Sequence, residues 1–276
     1  QNGREHALAE TYAKSKKVKK VVMTPGNGLT DFSNGKIKNY PDVGMMDFDR
    51  IVEVCKKEQI DLVDIGQDDI IAAGYVDKFQ KLGIKAFGPT QKASEIEWNK
   101  DWARKFMERH GLPIPVFRSF TDQKEAITYV ESISEQLLYI KASGLAGGKG
   151  AIRAENKKQA KDAILVMSEF GKSGETFVIE EGMFGEEFSL FAICDGEEYV
   201  VASFAQDHKT AYDDDKGSNT GGMGCVAPTG AINSSTIRII EQKILNPFMI
   251  GMKAEGRPYY GILYFGGMLT HSTGSG

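Results

Sequence analysis

Twelve residues, "YIKASGLAGGKG" (139–150), hold four glycines and two lysines. Glycines leave backbone N–H groups bare and lysines add positive charge, a combination suited to phosphate oxygens. The spacing departs from two common phosphate loops. A Walker loop needs Gly, four residues, then Gly-Lys-Ser/Thr; here Ser143 stands at the first Gly and Gly150 at the metal-binding hydroxyl. The G-x-G-x-x-G spacing is also absent. Apolar runs on both sides, "EQLLYIKAS" and "KGAIRAEN", read as strands, so the loop is the tip of a hairpin. Lys141 lies on the incoming strand and Lys149 at the tip, flanked by Gly147, Gly148 and Gly150. One reading is a flap that closes over phosphates; the other is a plain surface hairpin.

"VIEEGMFGEEFSL" (178–190) follows one helix later. Its strand carries Glu180 and Glu181 into a glycine turn, then Glu186 and Glu187. Such carboxylates accept hydrogen bonds from an adenine amino group or ribose hydroxyls, although a solvated acidic hairpin would look alike. In "QDHKTAYDDDKGSNTGGMG" (206–224), Asp213, Asp214 and Asp215 beside His208, Lys209 and Lys216 read as a solvated acidic loop rather than a metal site. "NTGGMG" differs: Asn219 and Thr220 precede Gly221, Gly222 and Gly224, leaving N–H groups for a phosphate or carboxylate, or simply making a turn.

These groups need a scaffold. "VKKVVMTPGNG" (18–28), "DLVDIGQDD" (61–69) and "IKAFGPT" (84–90) are short apolar runs ending at Gly or Pro, hence buried strands. Helical spacing between them, in "FDRIVEVCKKEQI" (48–60) and "IIAAGYVDKFQKLG" (70–83), predicts a doubly wound parallel sheet. Ligands on such sheets bind outside the strands' carboxyl ends, which places "PGNG" and "IGQDD" on one rim. "KASEIEWNKDWARKFMERHG" (92–111) reads as helix, and "LPIPVFRSFTDQ" opens an α+β region with antiparallel pairs.

A net charge of −4 and no basic tract argue against a nucleic-acid partner, and no run of eighteen apolar residues suggests a membrane span. Cys55, Cys194 and Cys225 have neither metal nor disulfide spacing and read as reduced packing residues of a cytoplasmic protein. "QNGREHAL" is no signal peptide and starts as if mid-motif, while "HSTGSG" reads as a flexible tail, so material is expected to be absent at both ends.

Taken in order, "GREHAL" (3–8), "PGNG" (25–28), "DLVDIGQDDIIAAGYVD" (61–77), "GPT" (88–90), "KASGLAGGKG", "VIEEGMFGEE", "QDHK" and "NTGGMG" resemble the phosphoribosylamine–glycine ligases of the ATP-grasp superfamily, from residue 3 to about 268. The resemblance implies an α/β and α+β chain: an ATP-grasp fold with an amino-terminal doubly wound, Rossmann-like parallel-sheet domain whose first strand is missing. The implied boundaries are 1–91 for that domain, 92–116 for a linking helix, 117–181 for the lid with its flap, and 182–276 for an incomplete carboxyl-terminal subdomain. It implies an ATP-dependent ligation of glycine to 5-phosphoribosylamine through glycyl phosphate, with ATP and Mg2+ (or Mn2+), small-molecule substrates, no nucleic acid, no membrane, and a monomer or homodimer. Phosphoryl transfer depends on positioning and charge rather than a covalent nucleophile, and none is expected.

By position, the resemblance assigns Lys100 and Lys141 to the ATP phosphates, Gly147, Gly148, Lys149 and Gly150 to the flap, and Glu180, Glu181 and Glu187 to base and ribose. Asp207, Lys209, Asn219, Thr220, Gly221, Gly222 and Gly224 fall to the substrates, and Gly3 and Arg4 to the amino-terminal rim. The family's metal ligands are expected beyond Gly276. Departures are Ser143 for Asp, Gly147 for Ala, Gln67-Asp68 for Pro-Glu, and Trp98-Asn99 for small residues. They leave room for a nucleotide-binding module without ligase activity, or a ligase for another carboxylate and amine.

Overall fold

The computed structural model describes residues 2–30, 35–147, 149–213 and 216–270. It divides into two units, Gln1–Gln91 and Lys92–Gly276.

The first unit alternates helix and strand: α1 (Gly3–Lys14), β1 (Val21–Met23), β2 (Ile37–Asn39), α2 (Phe48–Lys57), β3 (Val63–Asp64), α3 (Asp68–Ala72), α4 (Tyr75–Lys81) and β4 (Ala86–Phe87). The pairings are parallel, as the alternation predicts, but they form two separate pairs, β1–β2 and β3–β4. β1 and β3 instead line a cavity of about 840 Å3 with α1, α2 and α4. No described strand lies between them to complete one sheet. The helix read over 70–83 breaks at Gly74, whose φ of 74° is left-handed and caps α4. Phe48, Tyr75 and Phe79 centre this unit's core.

In the second unit, the single helix expected over 92–111 is broken. Asn99, at φ −124° and ψ 93°, separates α5 (Glu95–Trp98) from α6 (Lys100–Arg109) and accepts the Trp102 N–H. Asn favours such a cap because its side chain competes for backbone hydrogen bonds. A first sheet with its helices follows: β5 (Phe117–Phe120), α7 (Gln123–Ser132), β6 (Leu138–Ala142), β7 (Ala151–Ala154), α8 (Lys157–Val166), a 3-10 segment (Met167–Gly174) and β8 (Phe177–Glu181). Its antiparallel sheet has the order β5-β8-β6-β7. Leu138, Ile140 and Ala142 point into a core with α7 and α8. Strand alternation therefore turns Tyr139 and Lys141 to the opposite face.

The chain continues through β9 (Gly185–Asp195), β10 (Tyr199–Tyr212), β11 (Lys216–Val226), α9 (Ser234–Ile240), a π segment (Glu241–Leu245), α10 (Asn246–Ala254) and β12 (Tyr260–Thr270). The sheet order is β11-β10-β9-β12, all antiparallel. Phe188, Leu190, Ala192, Cys194 and Leu263 pack against Leu245, Phe248 and Met252. "NTGGMG" is thus not a turn: it lies within β11, paired to β10. Cys55 and Cys194 are buried, whereas Cys225 is exposed and is no packing residue. No helix among the described residues is long and apolar enough to cross a membrane.

Candidate nucleotide site

The face of the β5-β8-β6-β7 sheet turned away from α7 and α8 carries the charge. Tyr139 of β6 lies directly opposite Glu180 of β8, so Glu180 and Lys141 emerge on the same face. Glu180 is 3% exposed, and its carboxylate is fully engaged. Arg104 grips it with two bonds, Nε to Oε1 at 2.6 Å and Nη2 to Oε2 at 3.1 Å. Lys141 Nζ reaches Oε2 at 2.6 Å. Burial works to raise the Glu180 pKa, but Lys141 and Arg104 outweigh it and hold the carboxyl below the usual range. Lys100, the first residue of α6, is partly buried. Its pKa is lowered chiefly by burial and further by Lys141 and Arg104, against the pull of Glu97 and Glu180. Three cations thus meet two acids, and the surplus of positive charge is what a phosphate requires.

Arg104 escaped the sequence reading. It follows Lys100 by four residues on one helix, which puts both on one face, and that spacing was the available signal.

The flap springs from this cluster. Ala142 N–H donates to the Gly150 carbonyl at 2.7 Å, closing the hairpin. Ser143 N–H bonds the Thr176 carbonyl and Gly144 N–H the Ser173 carbonyl, each at 2.9 Å, and Ser173 Oγ donates to the Leu145 carbonyl at 2.6 Å. The base, 143–145, is therefore tied down. Beyond it, Gly147 adopts φ 57°, and Lys149 is exposed at the tip, its N–H on the Ala146 carbonyl at 3.0 Å. Gly148 lies outside the described residues.

Glu181 Oε1 accepts the Val116 N–H at 2.8 Å. Three residues, Gly182 to Phe184, then link β8 to β9, with Met183 and Phe184 exposed. Glu187 is exposed on β9 opposite Met268. The β10–β11 hairpin gathers the next set. Asp207 Oδ2 is 4.0 Å from Lys209 Nζ, Thr220 Oγ1 donates to the Lys209 carbonyl at 2.9 Å, and Gly222 N–H donates to Thr220 Oγ1 at 3.0 Å. Gly222, at φ 115°, is so near that a Cβ would meet Asp207 Oδ1 at 2.9 Å. Gly224 faces His208 across the ladder, and the backbone of Asn219 faces Thr210; Gly221 lies between them on β11.

In the first unit, Gly3 and Arg4 open α1, and Arg4 Nη1 lies 3.7 Å from Asp68. A Cβ on Gly66 would meet Glu5 Oε1 at 3.1 Å, and His6 Nδ1 is 3.4 Å from Asn27 Oδ1. "GREH", "PGNG" and "IGQDD" therefore share one rim. No three His, Cys, Asp or Glu residues among those described converge to hold a metal.

Models of two phosphoribosylglycinamide synthetase domains match the chain: the N domain over residues 1–97 and the ATP-grasp (A) domain over 98–275. The chain belongs to the phosphoribosylglycinamide synthetase family. Among curated relatives, the phosphoribosylamine–glycine ligase of Streptococcus pneumoniae is 42% identical over 271 residues, 97% of this chain and 64% of the relative. The chain therefore spans less than two thirds of that relative's length. The crystal structure of phosphoribosylamine–glycine ligase from Thermotoga maritima superposes with a TM-score of 0.78 at 30% identity, covering 98% of this chain and 64% of that one. Biotin carboxylase from Campylobacter jejuni, at 16% identity and a TM-score of 0.73 over 99% of this chain and 62% of its own, shares the ATP-grasp fold.

Proposed function

We propose that this chain supplies the nucleotide-binding part of a ligase that joins glycine to 5-phosphoribosylamine. A glycine carboxylate oxygen attacks the γ-phosphorus of ATP, the bond to the bridging oxygen breaks, and ADP leaves. The amine of phosphoribosylamine then attacks the acyl carbon of glycyl phosphate. Phosphate departs, the nitrogen loses a proton, and glycinamide ribonucleotide forms.

The observation that carries this reading is the Lys100–Arg104–Lys141 cluster around buried Glu180 at the root of the glycine flap. These cations neutralise charge on the phosphates while the flap's N–H groups cover them. A closed flap also keeps water from the acyl phosphate. Because Glu180 is occupied, the adenine falls to the backbone of 181–183 beside Met183 and Phe184, and the ribose to Glu187. The β10–β11 hairpin, with Asp207, Lys209, Asn219, Thr220, Gly221, Gly222 and Gly224, receives the glycine and phosphoribosylamine, and Gly3 and Arg4 line the substrate rim.

The test is ADP release with ATP, glycine and phosphoribosylamine, measured on a version of the chain extended to the relatives' length. Release that requires glycine, and that falls by about tenfold or more in Lys141→Ala, is expected from loss of one charge-assisted contact. Saturable ATP binding without glycine-dependent release would identify a nucleotide-binding module instead.

A further inference from the structure

The first turn of α6 is tied to the flap by two polar side chains outside the cation cluster. Ser143, 5% exposed, ends β6 where the flap begins. Its carbonyl accepts the Lys100 N–H at 2.9 Å, and its Oγ accepts the Asp101 N–H at 3.0 Å. The same hydroxyl donates to Asn99 Oδ1 at 3.0 Å, and that oxygen also accepts the Trp102 N–H at 3.1 Å. Three successive N–H groups at the start of α6 are thus satisfied by Ser143 and Asn99. Those N–H groups would otherwise need capping, and here they hold the helix to the hairpin. Asn99 is itself fixed: Nδ2 donates to Glu95 Oε1 at 3.0 Å, and Glu95 pairs with Arg257, whose guanidinium lies 4.2 Å from the Trp102 ring centroid.

We infer that Asn99 and Ser143 are positioning residues for nucleotide binding. They hold Lys100 and Arg104 at a fixed place relative to the root of the flap, so that helix and hairpin meet the phosphates as one body. This rests on the reading that the Lys100–Arg104–Lys141 cluster binds phosphate. The hydrogen-bond polarity makes the pair specific. Asn99 Oδ1 only accepts, so residue 143 must bring a donor. A carboxylate there would face that oxygen with no proton between them. A serine at 99 could still accept the Trp102 N–H and would donate to a carboxylate.

The experiment compares wild type, Ser143→Ala, Ser143→Asp and the double variant Asn99→Ser/Ser143→Asp by ATP calorimetry, melting and amide hydrogen exchange without nucleotide. Ser143→Ala and Ser143→Asp are expected to lose about three- to tenfold in ATP affinity, the range of one or two hydrogen bonds. Exchange should accelerate at the Asp101 amide and at Leu145 and Ala146. The double variant is expected to recover affinity to within about threefold of wild type, a rescue that simple loss of packing would not give. If the single variants only lower the melting temperature and bind ATP as wild type does, the positioning role is overturned while the nucleotide site stands. Failure of the double variant to recover also overturns it. If wild type binds no ATP, the phosphate reading fails and this role falls with it, even where exchange changes.

Discussion

A buried carboxylate beside a phosphate site repels the ligand unless its charge is already met. At the proposed phosphate site Glu180 would satisfy that condition through its bonds to Arg104 and Lys141, and in return it orients both cations. Lys100 differs in having its charge opposed by burial. A bound phosphate favours the ammonium form, so the Lys100 pKa rises on binding. Affinity is then full below the free-state pKa and falls as pH climbs through it, by at most about tenfold per pH unit for one proton. Because the free-state value is lowered from 10.5, the fall should begin below that pH. Calorimetric titration of ATP against pH is expected to show this early limb, and Lys100→Arg, always protonated, is expected to lack it; an unchanged profile in Lys100→Arg would contradict the assignment. Lys100, Lys141 and Glu180 stand out in the sequence, but the bonds that Glu180 makes to its two cationic partners do not. Those partners arrive from α6 and β6, 76 and 39 residues away along the chain, a distance no local motif spans.

At the scale of elements, the flap hairpin is legible because glycines and flanking apolar runs mark it. Its root is not, because the bonds that tie 143–145 come from Ser173 and Thr176 after the next helix. Gly150 tests whether the hairpin must fold as seen. A Cβ there would lie 2.6 Å from Ala146 Cβ and 3.2 Å from Ala142 Cβ. Gly150→Ala should therefore strain the closed hairpin by about 1–3 kcal/mol and weaken ATP binding. Adding Ala146→Gly should remove the nearer clash and restore affinity; a Gly150→Ala protein that binds ATP normally would count against this geometry. β11 was misread for a physical reason. Gly and Asn disfavour strands, yet pairing with β10 overrides that preference. The breaks at Asn99 and Gly74 were missed because helical periodicity continues across both.

For the whole molecule, the alternation of helix and strand from 48 to 90 was legible, as was the antiparallel character of Lys92–Gly276, whereas α1 and the three-residue β2 were not. That β1–β2 and β3–β4 stand as separate parallel pairs was not, since local patterning carries no strand order. The cation cluster, flap and acidic strand all belong to Lys92–Gly276. Hydrogen exchange of the entire chain with and without saturating ATP tests the central claim most directly. Slower exchange is expected at Ala146, Gly147 and Lys149 and at Glu181, Gly182 and Met183. ATP that binds without protecting these amides, or that fails to bind, would contradict it.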